Sequence, residues 1–229
     1  MSIESEVFIK FTPDFEKLVQ YGFIKNKTNY IFNKPFLNNS FKAQVTIDNS
    51  GNIKGQVIDC ESNEEYIPIR LEHQEGGFVG EVREGYIRLL TDIRDNCFNE
   101  NYFISDQGNR ITNLIYEKYG DKPVFLWDDL PDCGVFKNPD NNKWYGIIMY
   151  IERTKLNEPS KEKVEVINIK LDKDKIPTLI KQDGFYPAYH MNKKHWITIT
   201  LDNTLKDALI LDLINESHAY TVKKTKHSA

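Results

Sequence analysis

The densest collection of side chains suited to recognition lies in the run Tyr186-Pro187-Ala188-Tyr189-His190-Met191-Asn192-Lys193-Lys194-His195-Trp196. Two adjacent lysines can neutralise phosphate oxygens, an asparagine can donate and accept toward a base or sugar edge, and the rings of Tyr, His and Trp offer flat faces for stacking. Strands that run up to His190 and resume near His195 would make Met191 to Lys194 a hairpin tip. Asn192, Lys193 and Lys194 would then stand in solvent, supported by Tyr189, His190, His195 and Trp196. The chemistry this predicts is non-covalent contact with a polyanion, weakening steeply with salt. The same pattern admits a packing reading, in which alternation sends Tyr189 and Trp196 into a core and leaves the lysines as a solvated turn.

Catalytic arrangements are not found elsewhere in the sequence. His190 and His195 bracket the turn and could converge, but no Cys-x-x-Cys or His-Glu-x-x-His spacing accompanies them, so neither a metal nor another cofactor is expected. Cys133 at the start of a strand reads as a small packed hydrophobe rather than as a thiolate paired with either histidine. Asp128, Asp129 and Asp132, in Asp-Asp-Leu-Pro-Asp, read as a turn whose carboxylates cap backbone amides. Dinucleotide-binding and phosphate-binding glycine loops and the Gly-x-Ser-x-Gly elbow do not occur, so an enzyme is not the expectation.

These residues need a scaffold. Thr12-Pro13-Asp14 ahead of Phe15, Leu18 and Val19 predicts a helix with Thr12 as N-cap and Pro13 in its first position, ending by Gly22. Tyr30–Phe32, Phe41–Ile47 and Ile53–Ile58 alternate with period two and predict half-buried strands. Asp48 to Asn52 closes a hairpin between the last two. Tyr66 to Leu71 is expected as a further, irregular strand because of Pro68. After Gly76-Gly77, Val82, Tyr86, Leu89, Leu90, Ile93 and Cys97 recur at helical spacing. The polar stretch 99–109 is expected to hold a domain boundary, giving an amino-terminal α+β domain over 1–103 and a second domain over 104–229. In the second, Ile111, Leu114, Ile115 and Tyr119 predict a helix, and strands follow at 133–137, 143–151 and 164–169. A short helix over 173–181, two strands flanking the lysine pair and a last helix over 205–216 complete the order α-β-β-β-α-β-β-α.

Composition narrows the partners. Net charge is −4, distributed as 12 basic against 17 acidic residues (−5) over 1–110 and 18 against 17 (+1) over 111–229. There is thus no global pull toward nucleic acid, and a polyanion surface must be local and in the second half. Cys60, Cys97 and Cys133 are scattered and odd in number, and no apolar run is long enough to span a bilayer. A cytoplasmic protein of bacterial type, with no membrane association, is the expectation.

Two segments resemble the MmcQ/YjbR family. One is the run from Tyr186 to Trp196, similar to the family's aromatic-His-Met/Leu-Asn-Lys-basic-His-Trp signature; the other is Leu213-Ile214-Asn215-Glu216-Ser217, similar to its Leu-Ile-x-x-Ser segment. The resemblance covers roughly residues 104–224, and the preceding residues look like an amino-terminal extension. It departs after Ser217, where His218 stands in place of the usual aromatic. What the resemblance implies is an α+β, CyaY-like and double-wing-like module with DNA as partner through Asn192-Lys193-Lys194. Its similarity to small secretion-chaperone-like sheets implies the alternative, a protein-interaction adaptor.

Overall fold

In the computed structural model, which describes residues 2–71 and 77–222, the period-two segments form antiparallel sheets in both halves of an α+β chain. The chain divides into two compact units, Met1–Asn101 and Tyr102–Ala229. Among the described residues no helix is long and apolar enough to cross a membrane.

The first unit runs α1 (Ile3–Val7), β1 (Phe11–Pro13), α2 (Phe15–Tyr21), β2 (Ile24–Lys25), β3 (Asn29–Phe36), β4 (Phe41–Asp48), β5 (Ile53–Asp59), α3 (Gly77–Cys97) and β6 (Phe98–Glu100). Strands β2-β3-β4-β5 form a meander, and β1 pairs with β6. On β4, Phe41, Ala43, Val45 and Ile47 are buried and their neighbours are not; they pack with the apolar stripe Val82, Tyr86, Leu90 and Ile93 of α3. Each such apolar side chain withdrawn from water contributes about 1.5–3 kcal/mol. The β4–β5 turn closes on Asp48, with Gly51 at φ 88°.

Two details correct the sequence reading. Asp14, not Thr12, caps α2: its carboxylate accepts from the Glu16 and Lys17 amides, while Thr12 and Pro13 lie in β1 opposite Asn99 and Phe98. The ladder continues through the Asp14 amide to the Cys97 carbonyl and keeps the chain extended one residue longer than the proline suggests. Residues Ile67–Arg70 form a 3-10 turn instead of a strand, with Pro68, which has no amide proton to give a ladder, in its first positions. The Gly76 of the expected helix start lies outside the described residues.

The second unit runs α4 (Asp106–Tyr119), β7 (Val124–Phe125), β8 (Gly134–Lys137), β9 (Trp144–Glu152), β10 (Lys163–Lys170), α5 (Ile176–Leu179), β11 (Phe185–Pro187), β12 (Trp196–Thr200) and α6 (Asp207–Ala219). It follows the expected order with one addition, the two-residue edge strand β7. The six strands lie in the order β11-β12-β10-β9-β8-β7, all antiparallel. One face packs Ile148, Ile167, Ile169, Ile197 and Ile199 with Ile111 and Ile115 of α4 and Ile210 and Ile214 of α6. The opposite face carries Val135, Ile147, Val164 and Val166. A bulge opposite Phe136 and Lys137 lets both Tyr145 and Ile148 join the helix side while Ile147 faces away. Glu165, inside this unit at 2% exposure, accepts from the amides of Ile104 and Ser105 and from the Ser105 hydroxyl, and that hydroxyl caps α4 at Gly108.

Candidate functional site

The hairpin that holds the lysine pair is shorter in its strands and longer in its loop than alternation predicts. Pairing stops at Pro187 opposite Ile197, so the strands do not reach His190, and residues 188–195 form the connection. Ladder bonding gives way there to side-chain bonds. The Tyr189 amide donates to Thr198 Oγ1 at 2.9 Å, and its carbonyl accepts from Asn168 Nδ2 at 2.7 Å. His190 sits at φ 54°, a left-handed angle uncommon for a residue with a Cβ, and its ring lies 4.1 Å from that of Tyr189.

The second half of the loop is a turn built on Asn192. Its carbonyl accepts from the His195 and Trp196 amides, both at 3.0 Å, and its Oδ1 accepts from the Lys194 amide at 2.9 Å. The side chain expected to read base or sugar edges is thus spent in part on fixing the backbone. Its effect is to hold Lys193 and Lys194 outward on a defined turn, both exposed and neither in an ion pair among the described residues.

Trp196 does not offer its ring to solvent. It is 6% exposed, and the Lys170 ammonium stands 5.0 Å over the ring. Of the two sequence readings of Trp196, packing is the one the fold realises; Tyr189 is half-buried. Five of the seven residues also divide between two places, and Lys193 and Lys194 line neither. Tyr189 and His190 line a groove of about 450 Å³ with Met149, Ile151, Glu152 and Lys163. Asn192, His195 and Trp196 line another of about 390 Å³ with Lys170, Leu171 and Tyr220. His190 and His195 therefore do not converge.

Lys170 and Tyr220 were not among the sequence candidates. The signal for Lys170 was present: it continues the alternation Val164, Val166, Asn168 and so reaches the face opposite the helices, where a charge is out of register with its neighbours. Burial, together with the nearby Lys143 charge, pulls its pKa below the usual lysine value. Ser217 fixes this corner. Its hydroxyl donates to the Tyr145 carbonyl and accepts from the Lys170 amide at 2.8 Å, tying α6 to β9 and β10. His218, the departure from the family pattern, stacks on Tyr119 at 4.0 Å and 13° and meets Tyr145 edge-on at 4.9 Å, so it packs as a flat ring.

Of the other sequence candidates, Asp129, Asp132 and Cys133 line the same groove as Tyr189 and His190. Cys133 is 7% exposed and burial pushes its thiol up to about 11, which leaves little thiolate at neutral pH. The loop containing Asp128, Asp129 and Asp132 turns on backbone bonds, Leu130 amide to Trp127 carbonyl and Cys133 amide to Leu130 carbonyl. Among the described residues, no group of three or more His, Cys, Asp or Glu side chains is placed to hold a metal ion.

Comparison with known proteins places this unit among relatives. The family model described as YjbR matches residues 116–220. The uncharacterised protein YyaQ of Bacillus subtilis (strain 168) is 33% identical over 107 residues, which are 47% of this chain and 91% of YyaQ. The uncharacterised protein YbdF of Escherichia coli O157:H7 is 44% identical over 57 residues, 24% of this chain, and the chain spans 45% of YbdF. A crystal structure of a protein from Pseudomonas syringae is 38% identical, with a TM-score of 0.48, over 49% of this chain and 97% of that one.

Proposed function

The chain belongs to the YjbR family through its second unit, and on that premise we propose that this unit is a nucleic-acid-binding module of low intrinsic affinity, contacting backbone phosphates through Lys193 and Lys194. The observation that carries the reading is the Asn192 turn, which holds two exposed lysines side by side, in no ion pair among the described residues. With a net charge of −4 over the whole chain, the attraction is local. Binding is accordingly weak, reads the backbone more than the sequence, and falls with salt. The unit acts by binding rather than by catalysis.

The test is fluorescence anisotropy of labelled double- and single-stranded DNA at two or more salt concentrations, with Lys193→Ala/Lys194→Ala alongside. Each phosphate contact contributes about 0.7–0.9 to the slope of log K against log salt, so the double variant loses about 1.4–1.8 from it. Unchanged affinity and slope in the variant would remove the tip from the interface.

A second reading, a protein-interaction adaptor, is favoured by a different observation. Phe125, Leu126 and Leu130, at 40%, 44% and 51% exposure, lie along and just beyond the edge strand β7. If DNA of neither form binds at low salt, this edge is the place to seek a protein partner, and Leu126→Asp with Leu130→Asp is the variant that would abolish its capture.

A further inference from the structure

The groove beside the tip has features that a backbone-only interface does not need. Lys170 is half-buried, forms no ion pair among the described residues, and has its ammonium held at the groove by the Trp196 ring. Another cation, Lys143, acts on it. Asn192 and His195 supply further polar atoms to the lining. Tyr220, 49% exposed, lines the same groove, its backbone amide bonded to the Ser217 carbonyl and its hydroxyl under the influence of Glu216, Asp172 and Lys175. An unpaired cation in a partly dry recess favours an anion, and an aromatic ring open to solvent favours a flat partner.

We infer that this groove takes one phosphate at Lys170 and the adjacent unpaired base on the Tyr220 ring, so that the preferred ligand is single-stranded nucleic acid; the inference rests on the nucleic-acid reading of the tip. In a duplex each base is stacked and paired inside the helix, and its face cannot reach a side chain beside the backbone. A free strand presents phosphate and base face together. A groove of about 390 Å³ is of the size that holds a small ligand. Lys193 and Lys194, one and two residues beyond the groove-lining Asn192, then meet the neighbouring phosphates of the same strand.

The experiment is anisotropy on the full chain with a labelled single strand, its duplex and an abasic strand of the same length. The proteins compared are the unaltered chain, Tyr220→Ala, Tyr220→Phe, Lys170→Met and Lys193→Ala/Lys194→Ala. The expected result is tighter binding of the single strand than of the duplex or the abasic strand. Tyr220→Ala weakens single-strand binding about tenfold, within the range for loss of one stacked base. Tyr220→Phe, which keeps the face, does not, and Lys170→Met, which keeps the stem over Trp196, lowers both affinity and salt slope. Equal binding of single strand, duplex and abasic strand, with no effect of Tyr220→Ala, would overturn the inference. If the tip variant still loses binding in that case, the backbone-contact reading stands alone; if it too is unchanged, that reading falls as well.

Discussion

Replacing Glu165 by alanine should unfold the second unit at markedly lower temperature, and the geometry sets the size of the effect. The carboxylate is buried and receives the Ile104 amide, the Ser105 amide at 3.0 Å and the Ser105 hydroxyl at 2.6 Å. Truncation strands these donors and loosens the hydroxyl that caps α4. An unsatisfied buried polar group costs about 1–3 kcal/mol, and with water re-entering part of the space the total is about 3–5 kcal/mol. For a unit of this size that is a fall in Tm of roughly 10–20 °C. Glu165→Gln, which keeps one acceptor oxygen, should lose about half as much. All three tryptophans, Trp127, Trp144 and Trp196, belong to this unit, so intrinsic fluorescence during heating reports it selectively. A shift below about 3 °C for the alanine variant would refute the account of how α4 is anchored.

Two further outcomes follow from the titratable groups. Burial holds the His218 pKa below its usual value; the facing Asp121 raises it and Lys118 lowers it further. The unfolded chain then binds the proton more readily than the folded one. The contribution of His218 is complete above the unfolded pKa of about 6.5 and is lost as pH falls through the lower folded value, at no more than ~1.4 kcal/mol per pH unit and less because the ring is half exposed. His218→Phe should keep the stack on Tyr119 and flatten the fluorescence-monitored stability between pH 7 and 5; an unaltered acid limb would assign it to other groups. For the thiols, Cys60 is exposed, while Cys97 and Cys133 are buried and pushed up to about 11. A chromogenic disulfide reagent at pH 7.5 should label one thiol quickly and the other two only on unfolding, and a Cys60→Ser variant should abolish the fast phase.

The longer strands and helices were legible because a single periodicity governs each, whereas the short α1, β1, β2, β6 and β7 carry too few residues to show one. β4 buries every second residue, α3 buries Val82, Tyr86, Leu90 and Ile93, and α4 stops where Gly120 takes a left-handed angle at φ 74°. What the sequence concealed depended on partners distant along the chain. Thr12 lost the capping role to Asp14 because β6, more than eighty residues away, draws residues 11–13 into a ladder. The loop of the lysine hairpin was mis-sized because Asn168, on another strand, competes for the Tyr189 carbonyl. Within the candidate site the exposed lysines could be found by motif. The division of the rings between two grooves could not, since it depends on the hand of the turn at His190. Lys170 was legible only once β10 was assigned a face.

The Ser217 bridge has a consequence for how motion in this unit can be observed. At the last residue of β10 the amide proton is held by a helix side chain and not by the neighbouring strand. Its exchange with solvent deuterium is therefore gated by the undocking of α6, whereas the amides before it in β10 are gated by separation of strands. One position in the sheet thus serves as an isotopic clock for the helix, a clock that a ligand seated beside Lys170 would slow without touching the rest of the strand.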